Sequence, residues 1–187
     1  MRAITSDRRL VALRSLIEGL ATLSLLAALA WPAPVRSSGS FAVGQPAPAL
    51  VASSFDGQAI DLAAYRGKLV VLNFWASWCA PCRAEMPALD ALARDYRDRG
   101  VIVVGLSADD RHDRKDALAA ARAVTYTTGM LAEASMNGFG DPQVLPLTYI
   151  IGPDGRVVAM LAANRGPLSA AQLRAAVDAG LGTKPGH

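Results

Sequence analysis

The chain has 187 residues, 52% of them hydrophobic and 19% charged, enough for one globular domain with an appendage; two full domains and disorder throughout are both excluded. Two cysteines exclude a multiply stapled miniprotein and a four-thiolate zinc site. The formal charge of +3 sits at the N-terminus, where residues 1–38 carry five arginines against two acids while the remainder carries 14 basic and 14 acidic side chains, so the high pI reports a basic leader and no nucleic-acid-binding face.

Arg2, Arg8, Arg9 and Arg14 precede an apolar run that is cleanest over residues 19–31. A basic flank followed by an apolar stretch is the pattern of a signal peptide or an N-terminal membrane anchor, and it holds the N-terminus in the cytoplasm. Ala28-x-Ala30 offers a peptidase site. The roughly 20 residues of a full span are reached only by extending back to Leu10 and including Arg14 and Glu18, four apart and able to pair on a helix. Anchor and cleaved signal both remain open, and both export the rest of the chain. Residues 32–45, rich in Pro, Ser and Gly, read as a linker. The domain is expected over 46–182, followed by a flexible tail at 183–187.

Residues 49–54 and 58–62 flank Asp56-Gly57 and predict a β-hairpin. The continuous apolar run over 69–75 predicts a buried central strand. Residues 80–99 have helical periodicity, with Met86, Leu89, Leu92 and Tyr96 on one side and Gly100 as the stop. A second buried strand is expected over 101–106, then a charged, Ala-rich helix over 111–124 with Leu118 and Val124 facing inward. Strands over 147–151 and 157–161 are joined by Gly152-Pro153-Asp154-Gly155, and a last helix runs from an N-cap at Ser169 to Leu181. The order is a hairpin, then β-α-β, then α, then β-β-α. The β-α-β unit predicts a parallel pair with a right-handed crossover.

Cys79-Ala80-Pro81-Cys82 lies where the central strand gives way to the long helix. Unpaired N–H groups and the helix dipole at that end favour a thiolate on Cys79, a placement that lowers a thiol pKa from ~8.5 toward ~3.5–7.5. Cys82 lies about one turn on, within bonding reach. Pro81, lacking an N–H, fits the first turn. Such a pair supports thiol–disulfide exchange, in which Cys79 attacks a disulfide and Cys82 resolves the mixed disulfide. A structural disulfide closing a tiny loop, or half of a metal site, are the other readings. The histidines, His112 and His187, lie on separate segments, and no metal is expected.

The segment Val70-Val71-Leu72-Asn73-Phe74-Trp75-Ala76-Ser77-Trp78-Cys79-Ala80-Pro81-Cys82 resembles the active-site segment of the thioredoxin superfamily, most closely the TlpA-like disulfide reductases, membrane-anchored or periplasmic, that include the cytochrome c maturation thioredoxins. Arg83-Ala84-Glu85-Met86-Pro87 and Tyr65-Arg66-Gly67-Lys68 match that group as well, and the likeness extends from about residue 44 to residue 181. It implies a thioredoxin-like α/β fold: a central mixed β-sheet with helices on both faces and an N-terminal β-hairpin extension. It also implies that Pro146, in Val144-Leu145-Pro146-Leu147-Thr148, is cis and faces the cysteines, and that the backbone of Leu145 pairs with a bound partner peptide like an added strand.

Around this centre, Trp78 offers either packing or an apolar surface on which a partner rests. Asn73 takes the place of the buried acid of thioredoxin itself, and an amide cannot act as a base, so Cys82 needs another proton acceptor. The candidates are Glu85, read foremost as a solvated helix position, and Glu133. Leu147-Thr148 departs from the family's Thr-Thr and is expected to alter the groove beside Pro146. The resemblance implies an extracytoplasmic reductase of protein disulfides such as apocytochrome c, without metal or organic cofactor, recharged by a membrane-embedded thiol carrier. A disulfide oxidase or isomerase, a thiol peroxidase, and a copper carrier are the alternatives.

Overall fold

Seven consecutive residues, Leu69–Trp75, are all buried, because this strand has neighbours on both edges and packed layers on both faces. It is β3 in the computed structural model, which describes residues 42–162 and 166–182; the segment read as leader or anchor, most of the linker and the tail lie outside those residues. Among the described residues no helix is long and apolar enough to cross a membrane. The other strands are β1 (Leu50–Ser53), β2 (Ala59–Asp61), β4 (Val101–Ser107), β5 (Thr127–Met130), β6 (Met136–Asn137), β7 (Leu147–Ile151) and β8 (Val157–Ala162). The α-helices are α1 (Ala80–Asp95), α2 (Arg114–Ala121) and α3 (Ala170–Gly182).

The main sheet has the order β5-β4-β3-β7-β8. β3 runs parallel to β4, from Leu69 opposite Val101 to Trp75 opposite Ser107, and antiparallel to β7, with Asn73 opposite Thr148. This is the expected mixed sheet. Its apolar residues alternate between two layers. Val70, Leu72, Phe74, Val104 and Leu106 face a layer formed with Leu50, Ile60 and Tyr149, while Leu69, Val71, Val101 and Val103 pack against Leu89 and Leu92 of α1 and Leu173 and Val177 of α3. The α-helices gather on this second face and not, as expected, on both. The first is covered by the small sheet β2-β1-β6 together with one-turn 3-10 helices at Leu62–Tyr65 and Leu131–Glu133.

Several boundaries depart from expectation. α1 ends at Asp95, and a separate one-turn 3-10 helix, Arg97–Arg99, carries the chain to Gly100, whose φ of +75° makes the left-handed stop. The helix expected over 111–124 is a 3-10 turn followed by the eight residues of α2. Its buried side chains are Ala117 and Ala121, with Leu118 and Val124 only half-buried, since small residues let α2 approach Trp75, Met86 and Met130. The stretch between residues 125 and 143 supplies two unforeseen strands: β5, parallel to β4 at the sheet edge, and β6, which completes the small sheet against β1. Both are too short to carry a period-2 signal. Residues 44 and 45, read as linker, are tied to the sheet edge: Gly44 N–H donates to the Val157 carbonyl at 2.7 Å, and Val157 N–H to that of Gln45 at 2.9 Å.

Candidate active site: a cysteine pair at a helix N-terminus

The chain leaves β3 at Trp75, turns through Ala76–Trp78, and enters α1 with Cys79 as the N-cap in an extended conformation. Cys79 N–H donates to the Ala76 carbonyl at 3.1 Å, closing the turn. The Cys79 Sγ takes the role that a hydroxyl or carboxylate oxygen usually plays at this position, accepting the N–H of Cys82 at 3.3 Å. Pro81 sits in the first turn. The two cysteines are joined as a disulfide, Cα atoms 5.3 Å apart. Cys82 is fully buried and Cys79 nearly so. In the reduced form, the same N–H and the aligned peptide dipoles would stabilise negative charge on Cys79 Sγ.

A carboxylate absent from the sequence reading fixes the turn before Cys79. Asp109, just beyond β4, is buried. Its carboxylate accepts Ser77 N–H at 2.8 Å and Ser77 Oγ–H at 2.7 Å, and also the Ser107 hydroxyl. The strand register explains the contact: a parallel pair that sets Trp75 opposite Ser107 brings Ser77 alongside Asp109 two residues later.

Behind the cysteines lies a buried polar chain. Asn73 Nδ2 donates to Glu85 Oε1 at 2.9 Å and to Thr148 Oγ1 at 3.0 Å. The other carboxylate oxygen of Glu85 accepts the N–H of Leu168 at 3.1 Å. Glu85 is therefore no solvated helix position: it is 1% exposed. A wide apolar stripe puts both Glu85 and Met86 on the inner side of α1. Burial pushes its carboxyl up to about 6, although the N–H of Leu168 and the amide of Asn73 pull the other way. Glu133 is engaged elsewhere, its Oε1 accepting Arg114 Nε–H of α2 at 3.0 Å.

The Leu145–Pro146 bond is cis, as the resemblance implied. A groove of about 390 Å³ passes between Trp78-Cys79, Ala108 and Asp110 after β4, the Leu131-Ala132 turn, and residues 141–145. Glu133 is not among its lining residues, and neither is Leu147, whose side chain enters the core on the Phe74 face instead of altering the groove. Phe139, from the stretch expected to shape the approach, packs its ring at a tilt against Phe74 and Tyr149, with centroids 5.6 and 5.1 Å away. Trp75 is wholly buried, whereas Trp78 is 68% exposed and borders both this groove and a second one of about 650 Å³ between α1 and α2. His112 joins Asp110 and Asp113 in a solvent-facing cluster.

Comparison with known proteins agrees with this geometry. The AhpC/TSA family model matches residues 43–160. The thiol-disulfide oxidoreductase ResA of Bacillus anthracis is 31% identical over 116 residues, covering 62% of this chain and 67% of that protein. The thioredoxin-like protein YneN of Bacillus subtilis (strain 168) is 32% identical over 114 residues, 60% and 66% of the two chains. Among solved structures, a protein described as the thiol:disulfide interchange protein DsbE from Chlorobium tepidum superposes with a TM-score of 0.66 at 25% identity, over 76% of this chain and all of that one. The chain therefore belongs to the AhpC/TSA family, as a thiol-disulfide oxidoreductase of thioredoxin-like fold.

Proposed function

We propose that this protein is an extracytoplasmic reductase of protein disulfides, with Cys79 as attacking and Cys82 as resolving thiol. The observation that carries the reading is the placement of Cys79 Sγ on the N–H of Cys82 in the first turn of α1, bonded to Cys82 and lining a groove rimmed by an exposed tryptophan. The Cys79 thiolate attacks one sulfur of a substrate disulfide, forming the Cys79–substrate bond and releasing a substrate thiolate, which takes a proton. Cys82 then loses its proton and attacks Cys79 Sγ. The Cys79–Cys82 bond forms, the second substrate thiol leaves, and two electrons have passed to the substrate.

Glu85, whose carboxyl is raised by burial to about 6 and is therefore mostly ionised at pH 7, is the proton acceptor for Cys82, with Asn73 orienting its carboxylate. Trp78 supplies the apolar rest for the partner, and the backbone at Leu145, beside Pro146, pairs with the partner's extended segment. The oxidised protein is returned to the dithiol by a thiol carrier in the membrane. Export rests on the basic-then-apolar N-terminus, which also ties the domain to the membrane if it is retained.

The test is trapping. A Cys82→Ser protein should accumulate mixed disulfides on Cys79, and isolating them from the membrane fraction identifies substrate and donor. A Cys79→Ser protein that reduced insulin at the wild-type rate would overturn the assignment, as would tight copper binding by a chain without exchange activity.

A further inference from the structure

The two grooves that meet at Trp78 differ in charge. The larger is lined by Arg83 and Asp116, which oppose each other. The smaller, which holds Cys79, is lined by Asp110 and Asp141 and by no Lys, Arg or His. Both carboxylates are on exposed residues, and among the described residues neither forms an ion pair. Other acids do pair with arginines, for example Asp95 with Arg174 and Asp178 with Arg99. Residues 39–187 carry equal numbers of basic and acidic side chains, so the domain has no net positive charge to set against the two. Most of the remaining wall is apolar: Trp78 and Val144 are 68% and 41% exposed, and Leu131 and Leu145 also line it, with Gln143 the one other polar side chain.

We propose that this groove selects disulfide segments that carry Lys or Arg within two residues of the cysteine under attack. The inference rests on the reductase reading, because the groove matters only if a substrate sulfur must reach Cys79. A substrate cysteine delivered there lays its neighbours along the groove. Long cationic side chains can rest their methylenes on Trp78 and Val144 while the charged head reaches Asp110 or Asp141. An acidic neighbour meets two unneutralised carboxylates and no cation, so the same groove rejects anionic segments.

The full chain, solubilised in detergent, reduced with dithiothreitol and desalted, is mixed with three peptides that share one intramolecular disulfide and differ only in flanking Lys, Gln or Glu. Single-turnover reduction is followed by thiol trapping at about pH 8, above the usual imidazole range, because a His112 ring nitrogen lies within 4.8 Å of Asp110. The order Lys, Gln, Glu is expected, with the extremes about ten-fold apart at about 0.02 M NaCl and converging at about 0.5 M, where the Debye length is under ~5 Å. Asp110→Asn with Asp141→Asn should bring the Lys/Glu ratio close to one. Asp98→Asn, beyond the far end of α1, should leave the ratio as it is. Equal rates for the three peptides at low salt, or a ratio that survives the double substitution, would overturn the selection. If the Gln peptide is not reduced at all, the reductase reading fails and the selection falls with it.

Discussion

Replacing Glu85 by Gln isolates the energetic role of the buried carboxylate that Asn73 holds. With its carboxyl moved from 4.5 to about 6 by burial, the folded state binds a proton that the unfolded state has already released between those values. Folding is therefore favoured below about 4.5, and that contribution is lost as pH rises through about 6. At 1.36 kcal/mol per unit the loss is about 2 kcal/mol. The amide introduced by Glu85→Gln removes the ionisation. It also turns one end of the side chain into a donor facing either Asn73 Nδ2–H or Leu168 N–H, at a cost of about 1–3 kcal/mol. The two effects nearly cancel at pH 7 and do not cancel at pH 4. Urea denaturation of the oxidised protein and its variant at several pH values between 4 and 7 should show the stability difference shrinking by about 2 kcal/mol across the range. Asp56 and Asp90, whose carboxyls lie below their usual values, titrate alike in both proteins and drop out of the comparison. Parallel stability curves over that range would refute the claim that Glu85 is an ionised, desolvated group.

Asp109→Ala should cost about 2 kcal/mol by removing the partner of the buried Ser107 hydroxyl and of the half-buried N–H and hydroxyl of Ser77, and Asp109→Asn should recover part of it; equal urea midpoints for Asp109→Ala and the wild type would refute the clamp. Gly129 lies so close to β1 that an added Cβ would overlap the Ser53 carbonyl oxygen. Gly129→Ala should therefore lower stability by about 2 kcal/mol or more, visible as a drop in Tm, and an unchanged Tm would show that the two sheets can part there without cost. Trp78→Ala, at an exposed position, should alter stability by less than about 0.5 kcal/mol yet raise KM for a protein disulfide several-fold. An unchanged KM would return Trp78 to plain surface packing.

The parts of the fold that could be read in the sequence are those with a strong local signature. The run over 69–75 predicts a central strand with neighbours on both sides, and it is buried throughout. The stripe Met86, Leu89, Leu92, Tyr96 is buried as read, and Ser169 Oγ accepts the Gln172 N–H as a cap should. The candidate site was legible at Cys79 and Cys82 because strand, turn and helix are contiguous there, and at Pro146 through family likeness alone. What escaped depends on packing between distant segments. β5 has four residues and β6 two, and each exists because an edge elsewhere accepts it. Glu85 has the composition of a surface residue and is buried because Asn73 of β3 and the Leu168 backbone supply its partners. Asp109 was hidden for the same reason, its Ser77 partner lying 32 residues back in the chain.

Asn73 bears on why a single carboxylate titrates behind the cysteines. Its Nδ2 faces Glu85 and Thr148 at once, and this leaves its buried Oδ1 without a partner among the described residues. An Asp at this position would set a second buried carboxylate about 3 Å from that of Glu85, and two such groups cannot both ionise; they would share a proton and titrate as a pair. Asn73→Asp should therefore hold one proton at pH 7 and steepen the loss of stability with rising pH. The variant should lie close to the wild type at pH 4 and fall below it by about 2–4 kcal/mol at pH 8. Denaturation at those two pH values decides the matter: a penalty of equal size at both would mean that position 73 acts by shape alone, and that Glu85 keeps its proton affinity for reasons outside this pair.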